Sequence, residues 1–234
     1  MNKIDLLIVV PAYNEEKSIA KTYFDLFETF EGFNQEISLI VVNDGSIDST
    51  QNILNNLKIP NISFPTNVGV AQILIFAVQM AQKLEAHSLV ICDADGQHLA
   101  SEIKSLRSEL QDHPYVIGVR DFEQYKIGAI RHFAIRVISD VLKRKTLYHF
   151  QDPTSGFRIY SDVCFPIILK KQGITEYLED TVGISYSLAK VGMYPKQVTV
   201  EMRQRFSGRP STVGLALILR YCSILFRLIV GKDR

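Results

Sequence analysis

Hydrophobic positions in the first half of the chain come in short, dense runs separated by longer amphipathic stretches. Residues 4–10, 37–42, 88–92 and 115–119 are compact and rich in β-branched side chains. Near-continuous apolar runs of this kind suit strands covered on both faces of a parallel sheet. Between them, residues 15–30, 49–57, 70–84 and 101–110 have the length and pattern of helices. Asp48, followed three residues later by Gln51, reads as a capping box opening the second of these. The alternation predicts an α/β chain with a doubly wound, mainly parallel sheet and flanking helices. Such a fold takes its ligands at the carboxyl ends of the strands. The second half is less regular: 128–144 reads as a helix, 157–160 as a short strand, 178–190 as a helix and 193–201 as a late strand. No internal repeat or linker-like run interrupts the chain.

Composition narrows the function classes. In 234 residues there are 26 basic and 25 acidic side chains, a formal net charge of +1, which lacks the basic excess of a general nucleic-acid binder. With 47% apolar and 22% charged residues, the chain can bury a large core and is not a disordered segment. Cys92, Cys164 and Cys222 form no CxxC and are odd in number, which argues against a disulfide framework or a zinc site and for a reducing compartment. The first apolar run is short and ends in Pro11 and acidic residues, so it reads as a strand rather than a signal-peptide core. No segment reads as a simple membrane-spanning helix.

The chemistry-bearing residues sit where the strands are expected to end. There is no GxGxxG after the first strand and no GxxxxGK[ST] anywhere, so dinucleotide and P-loop readings lose their support. Instead the first strand runs into Pro11-Ala12-Tyr13-Asn14-Glu15, the second into Asn43-Asp44-Gly45-Ser46, and the fourth into Asp93-Ala94-Asp95-Gly96-Gln97-His98. Asp93 and Asp95 are two apart, so on an extended strand end they point to one side. Two carboxylates held together repel unless a cation or a shared proton relieves them. Hard oxygen donors suit Mg²⁺ or Mn²⁺, which bind through one or two carboxylates together with substrate phosphates. Each segment taken alone also suits an ordinary turn, since Asp and Gly are standard turn residues. Their occurrence in order, each at a strand end, favours a site.

VPAYNEE, VVNDGS, the Asn67-Val68-Gly69-Val70-Ala71 segment and DADGQH resemble the successive motifs of family 2 glycosyltransferases with the GT-A fold. Asp152-Pro153-Thr154-Ser155-Gly156-Phe157-Arg158 resembles the DxTSGFR segment of the polyprenyl-phosphate sugar transferases, the dolichyl-phosphate mannose synthase type. The likeness covers about residues 4–212. It implies a nucleotide-sugar donor (uridine-linked on the same basis), Mg²⁺ or Mn²⁺, and inversion at the anomeric carbon. Carried over by position, Pro11, Ala12, Tyr13, Glu15 and Asp44 would hold the nucleoside, while Asp93, Asp95 and Gln97 would serve the metal and the diphosphate, with Asp95 also counted as catalytic.

Two acceptor chemistries stay open at this point. A phosphate monoester, with a second pKa of about 6, is anionic near neutrality and needs cations to place it. Arg120, Arg131, Arg205 and Arg209 are the candidates; Arg120 and Arg131 resemble acceptor-phosphate positions of the family, whereas Arg136 reads as part of a solvated helix face. A hydroxyl acceptor needs a positioned general base. Glu179-Asp180 resembles the acidic pair of hydroxyl-acceptor members, although Leu178 and Asp180 depart from the YPE-like segment of the nearest pattern, and Asp152 is a second acidic candidate. Arg205 to Ser211 resembles an RxxGxS lid, with Pro210 where Ser is expected. A fold that binds nucleotide sugar as a silent membrane adaptor is the alternative outside catalysis, and the complete acidic motif speaks against it.

Residues 213–230 are almost wholly apolar except for Arg220, Ser223 and Arg227, which fall on one helical stripe. An arginine at the centre of a spanning helix costs roughly 2.5–3.5 kcal/mol, whereas an interfacial helix can turn such a stripe to lipid headgroups. The expectation is therefore a glycosyltransferase domain over 1–212 and an amphipathic membrane-interface tail over 213–234, peripheral on the cytoplasmic face of the membrane. The acceptor would be a polyprenyl phosphate or a lipid-linked glycan, and a membrane-protein partner or a second copy of the chain is the lesser alternative for the tail, whose polar stripe is cationic.

Overall fold

The computed structural model describes residues 4–30, 36–122, 127–170, 181–206 and 214–230, and every structural statement below concerns these. In chain order they form β1 (Leu6–Ala12), α1 (Ile19–Phe30), β2 (Ile37–Asn43), α2 (Thr50–Asn56), β3 (Asn61–Ser63), α3 (Val70–Lys83), β4 (Ser88–Ile91), α4 (Ala100–Glu109) and β5 (Tyr115–Arg120). There follow α5 (Ala129–Thr146), β6 (Arg158–Ser161), α6 (Phe165–Leu169), α7 (Thr181–Lys190), β7 (Lys196–Val200) and α8 (Gly214–Val230). The seven strands make one sheet in the order β3-β2-β1-β4-β6-β5-β7.

The expected mixed α/β architecture with a mostly parallel sheet is present. β1 pairs in parallel with β2 and with β4, and β5 pairs in parallel with β7. Because side chains alternate along a strand, the two sheet faces draw on interleaved residues of the same runs. Leu7, Val9, Leu89 and Ile91 pack under Ile73 and Ala77 of α3, Ile138 of α5 and Ile224 of α8. Leu6, Ile8, Val10 and Val90 pack under Ile19 and Leu26 of α1 and Ile103 of α4. This double coverage is why these runs are apolar at every position.

β6 decides where the site forms. It is inserted antiparallel between β4 and β5, with Ile91 opposite Arg158 and Ile117 also opposite Arg158. β4 and β5 consequently point the same way, and their carboxyl ends share an edge with the segment that enters β6. The turns after β1, β2, β4 and β5 and the 152–157 loop are thus gathered along one rim. That rim includes the point between β1 and β4 where strand order reverses, the usual crevice of an open α/β sheet.

Several local expectations are corrected. α1 begins at Ile19 rather than at residue 15, because Glu15 is tied into a turn, accepting from the amides of Ser18 and Ile19, while its own amide donates to the Thr50 hydroxyl at 2.9 Å. The capping box does not form. Asp48 accepts from the Thr50 amide and hydroxyl, and Gln51 instead links Asn43, Asn55 and Asn61. β3 and α6 lay below the periodicity signal, being only 3 and 5 residues long. The expected helix over 178–190 is seen from Thr181 onward, its first positions lying outside the described residues.

Candidate active site

The rim holds a cavity of about 670 Å³. Its lining includes Asp93, Gln97 and His98 from the turn after β4, and Arg120 at the end of β5. Arg131 comes from the first turn of α5 and Arg205 from the segment following β7. Of the four arginines expected from the sequence, three line the cavity beside the acidic turn, and Arg209 lies outside the described residues. Glu179 and Asp180 lie outside them as well.

The turn after β4 treats its two carboxylates differently. Asp93 opens to the cavity, whereas Asp95 is buried beneath it, accepting from the Gln97 amide at 2.9 Å. Gly96, at φ +77°, makes this turn possible: a Cβ there would lie 2.2 Å from the Phe206 ring. The segment after β7 folds back over the turn, with Met202 bridged to His98, the Arg203 amide on the Gln97 carbonyl and the Phe206 amide on the Asp95 carbonyl, both at 3.0 Å. That crossing delivers the Arg205 guanidinium to 3.2 Å from Asp95. Burial, followed by the charge of Asp93, pushes the Asp95 carboxyl above the usual carboxylate range. Glu15 is pushed up too, mainly by burial and with Asp95 adding to it, which places Glu15 within electrostatic reach of the same cluster.

His98, absent from the sequence-level site, is the hub of this turn. Its ring stacks on Phe157 at 4.4 Å, its Nδ1 accepts the Asp93 amide at 3.2 Å, and its Nε2 lies 3.8 Å from the Asp93 carboxylate. An Nδ1 that accepts puts the proton of the neutral ring on Nε2, facing Asp93. Burial lowers the His98 pKa, outweighing the attraction of Asp93 and Asp95. The sign follows: a folded-state pKa below the unfolded value of about 6.5 stabilises the fold above that value. The contribution is lost as pH falls through the folded pKa. An NMR titration of the imidazole is expected to show a neutral Nε2–H ring at neutral pH and a midpoint below about 6.5; a midpoint at or above it would overturn the assignment.

Pro11, Ala12, Tyr13 and Asp44 sit at the neighbouring ends of β1 and β2 rather than in the cavity lining. Pro11 is in register with Val42 and Ala12 with Asn43, and the Ala12 carbonyl accepts the Asp44 amide at 2.8 Å. Tyr13 is 44% exposed and is a ring open to stacking. Asp44 is buried, and its carboxylate accepts from the amides of Val68 and Gly69 at 2.7 and 2.9 Å and from the Asn67 side chain at 3.0 Å. Asp44 thus organises the 67–69 loop, of which Val68 and Gly69 line the cavity. Gly45 permits that closure. At φ +68°, a Cβ would meet the Thr66 carbonyl carbon at 2.4 Å, a backbone atom that cannot swing away. Gly45→Ala is expected to cost about 2 kcal/mol or more, combining left-handed strain with the clash, as read from denaturant midpoints. A loss below about 0.5 kcal/mol would show that the loop relaxes.

The DPTSGFR segment is a positioning device. Asp152 is fully buried and does not line the cavity. Its Oδ2 accepts Arg120 Nε at 2.6 Å, and its Oδ1 accepts Arg120 Nη2 and the Thr154 hydroxyl at 2.8 and 2.9 Å. Asp152, the second acidic candidate for a general base, is thus seen with both carboxylate oxygens engaged in orienting Arg120 and Thr154. Arg158, also fully buried, donates to the carbonyls of Ser155, Pro153 and Thr181 and to the Ser185 hydroxyl, each at 2.8 Å, stapling the loop to α7. Ser155 completes the staple through the Gly118 carbonyl at 2.6 Å.

This ordered set of strand-end motifs on one rim of an α/β sheet is matched by comparison with known proteins, and residues 7–165 fit the glycosyl transferase family 2 domain. The chain belongs to glycosyl transferase family 2. The resemblance seen in its motifs is therefore borne out, and with it the reading as a sugar-transferring enzyme. A UDP-N-acetylglucosamine–dolichyl-phosphate N-acetylglucosaminyltransferase of Methanococcus voltae is 27% identical over 97% of both chains. A dolichyl-phosphate beta-glucosyltransferase of Trichomonas vaginalis is 27% identical over 85% of this chain and 66% of its own length. The crystal structure of glucosyl-3-phosphoglycerate synthase from Mycobacterium tuberculosis with Mn²⁺, UDP and phosphoglyceric acid superposes with a TM-score of 0.70. It is 18% identical and covers 97% of this chain and 78% of that one, a likeness of fold.

The tail of this glycosyltransferase departs from expectation in one respect. Arg220, Ser223 and Arg227 line the cavity instead of facing outward. α8 packs along α5 and sinks Tyr221, Ile224 and Leu228 into the core, and those three fix its rotation. Leu219, Phe226, Ile229 and Val230 are left on the exposed side. None of the described helices is long and apolar enough to cross a membrane.

Proposed function

We propose that this enzyme transfers a sugar, with inversion, from a uridine-linked nucleotide-sugar donor to a polyprenyl phosphate. The observation that carries the reading is Arg120. The buried Asp152 clamp fixes it at the cavity wall shared with Arg131, whose buried Nε has no hydrogen-bond partner among the described residues. Arginines placed this way suit bidentate capture of a phosphate. The same cavity has an apolar side, with Val70, Ala71, Leu74 and Ile224, that suits the first isoprene units of such an acceptor. The dolichyl-phosphate relatives and the Mn²⁺- and UDP-bound structural neighbour support the same chemistry.

In this reading Pro11, Ala12, Tyr13, Glu15 and Asp44 hold the nucleoside, and Asp93, Asp95 and Gln97 face the diphosphate. Their donor set fits Mg²⁺ or Mn²⁺: two mutually repelling carboxylates and one amide oxygen, with the Arg205 guanidinium lying against Asp95. A divalent ion held by these residues would neutralise charge on the departing nucleoside diphosphate. Arg120 and Arg131 orient the acceptor phosphate so that one of its oxygens forms the bond to the anomeric carbon as the bond to the diphosphate breaks. The phosphate is already anionic, and this step requires no general base. Arg205 and Arg209 then close over the diphosphate as a lid.

The exposed apolar residues of α8, continued by Ile130 and Phe133 on the adjoining α5, are proposed to rest on the cytoplasmic face of the membrane. That would make residues 213–234 an interfacial element of the 1–212 domain.

The test is a donor panel with Mn²⁺, with and without a short-chain polyprenyl phosphate, scoring sugar carried into organic-extractable lipid. Acceptor-dependent product is expected from one donor. Asp180→Asn is expected to change its rate by less than about fivefold, against the roughly 10²–10⁴-fold that a lost general base would cost. A loss of that size, with donor hydrolysis but no lipid product, would move the acceptor to a sugar hydroxyl.

A further inference from the structure

We infer that the backbone at Gly156 forms one wall of the donor's sugar subsite, and that this bare position limits which sugar ring the enzyme accepts. The inference rests on the nucleotide-sugar reading above and places the transferred sugar within it.

A chain needs glycine where the backbone is left-handed, where a neighbour leaves no room for a Cβ, or where a ligand comes close to the backbone. Gly156 does not meet the first two conditions. Its φ is negative. A Cβ built on it would touch, among the described residues, only Oδ2 of Asp93, at 4.0 Å, which is ordinary van der Waals contact. Gly118 of β5 is the opposite case, since a Cβ there would meet the Phe157 ring at 2.8 Å. Gly156 is exposed and lines the cavity. Backbone conformation and packing therefore leave the missing side chain unexplained, and close approach of a ligand explains it.

The place of Gly156 names that ligand. The 152–157 loop runs from the acceptor side of the cavity to the diphosphate side. Its Thr154 hydroxyl accepts Arg120 Nη2 at 2.8 Å. Two residues on, Gly156 lies against the open carboxylate of Asp93, and Phe157 stacks on His98, whose Nδ1 accepts the Asp93 amide. Two residues span at most about 7 Å. This short stretch thus joins the arginine assigned to the acceptor phosphate to the carboxylate assigned to the diphosphate. In a displacement with inversion the anomeric carbon lies between the attacking and leaving oxygens, so the sugar ring occupies the space over this stretch. The loop is also held firmly. Ser155 donates to the Gly118 carbonyl at 2.6 Å, and Arg158 donates to the carbonyls of Pro153 and Ser155 at 2.8 Å. A side chain added at 156 would take space from the sugar instead of being carried aside by the backbone.

The experiment uses the full chain with Mn²⁺. UDP, UDP-glucose and UDP-N-acetylglucosamine are titrated calorimetrically into the parent, Gly156→Ala and Gly156→Val. Melting temperatures should stay within about 3 °C of the parent's, since a negative φ with open space tolerates either side chain. UDP carries no sugar and should bind both variants within about threefold of the parent. The UDP-sugar that binds the parent best should bind Gly156→Val at least about 10-fold more weakly, with Gly156→Ala between, as overfilled space demands. Transfer should show kcat lowered by up to about 100-fold, the cost of displacing a reacting group by about 1 Å, with the acceptor KM little changed. Equal losses for UDP and the UDP-sugar overturn the inference in favour of a diphosphate contact. Unchanged UDP-sugar binding with a raised acceptor KM overturns it in favour of the acceptor, and unchanged binding and kinetics overturn it outright. A fall of more than about 5 °C in both variants shows that the fold itself requires glycine here, and overturns it too. A parent that binds neither UDP nor a UDP-sugar removes the donor reading itself, and this inference with it.

Discussion

Asp95→Asn is expected to lower sugar transfer by about 10³-fold or more while leaving the protein folded. The substitution keeps a carbonyl oxygen for the Gln97 amide, so the turn after β4 survives. What it removes is the charge facing Arg205 and beside Asp93. Neutralising the leaving diphosphate is worth several kcal/mol, and each 1.36 kcal/mol is roughly tenfold in rate. The raised pKa adds a second, independent expectation. A carboxyl whose pKa is pushed up by burial is one whose neutral form the fold prefers. The asparagine variant should therefore melt at or above the parent's temperature in the absence of metal and nucleotide. Donor turnover within about tenfold of the parent would sink the assignment of Asp95 to the diphosphate side, and a large fall in melting temperature would show that its charge holds the turn.

Asp152→Ala is expected to be the most destabilising single change in the site, by about 3–5 kcal/mol, because it leaves the buried Arg120 guanidinium uncompensated. Asp152→Asn keeps one acceptor oxygen and should lose roughly half as much. It should also raise the acceptor KM more than it lowers kcat, since Arg120 then keeps one of its two bonds to residue 152. Denaturant unfolding and acceptor titration read the two effects separately. A variant of native stability, impaired in kcat alone, would return Asp152 to the role of a base. The distinction matters because the acidic residue of this motif looks catalytic in one dimension. Its two carboxylate oxygens are spent, in three dimensions, on an arginine 32 positions away.

The linear chain carried much of this protein in plain view, and the reason is that the signals were local. A parallel strand covered on both faces must be apolar at consecutive positions, so β1, β2, β4 and β5 stood out, and the chemistry-bearing motifs lie just past them. Asp93, Asp95 and Gln97 stood out as the turn just past β4, and the order of the strand-end motifs identified the family. The helix stripe on α8 was legible as a stripe. Its direction was not, because periodicity says which residues share a face but not what that face meets. Tyr221, Ile224 and Leu228 settled the matter by entering the core, and they turned Arg220 and Arg227 into the cavity. In the same way β6 is an unremarkable four-residue strand in the sequence. Its antiparallel insertion between β4 and β5 brings the 152–157 loop to the catalytic rim. The buried pairings of Asp152 with Arg120, of Arg158 with three carbonyls, and of His98 with Asp93 join segments through hydrogen bonds that no spacing rule encodes. Sequence determined which elements form and which chemistry they carry; tertiary packing decided which of those charged groups are free to meet a substrate and which are consumed in holding the others in place.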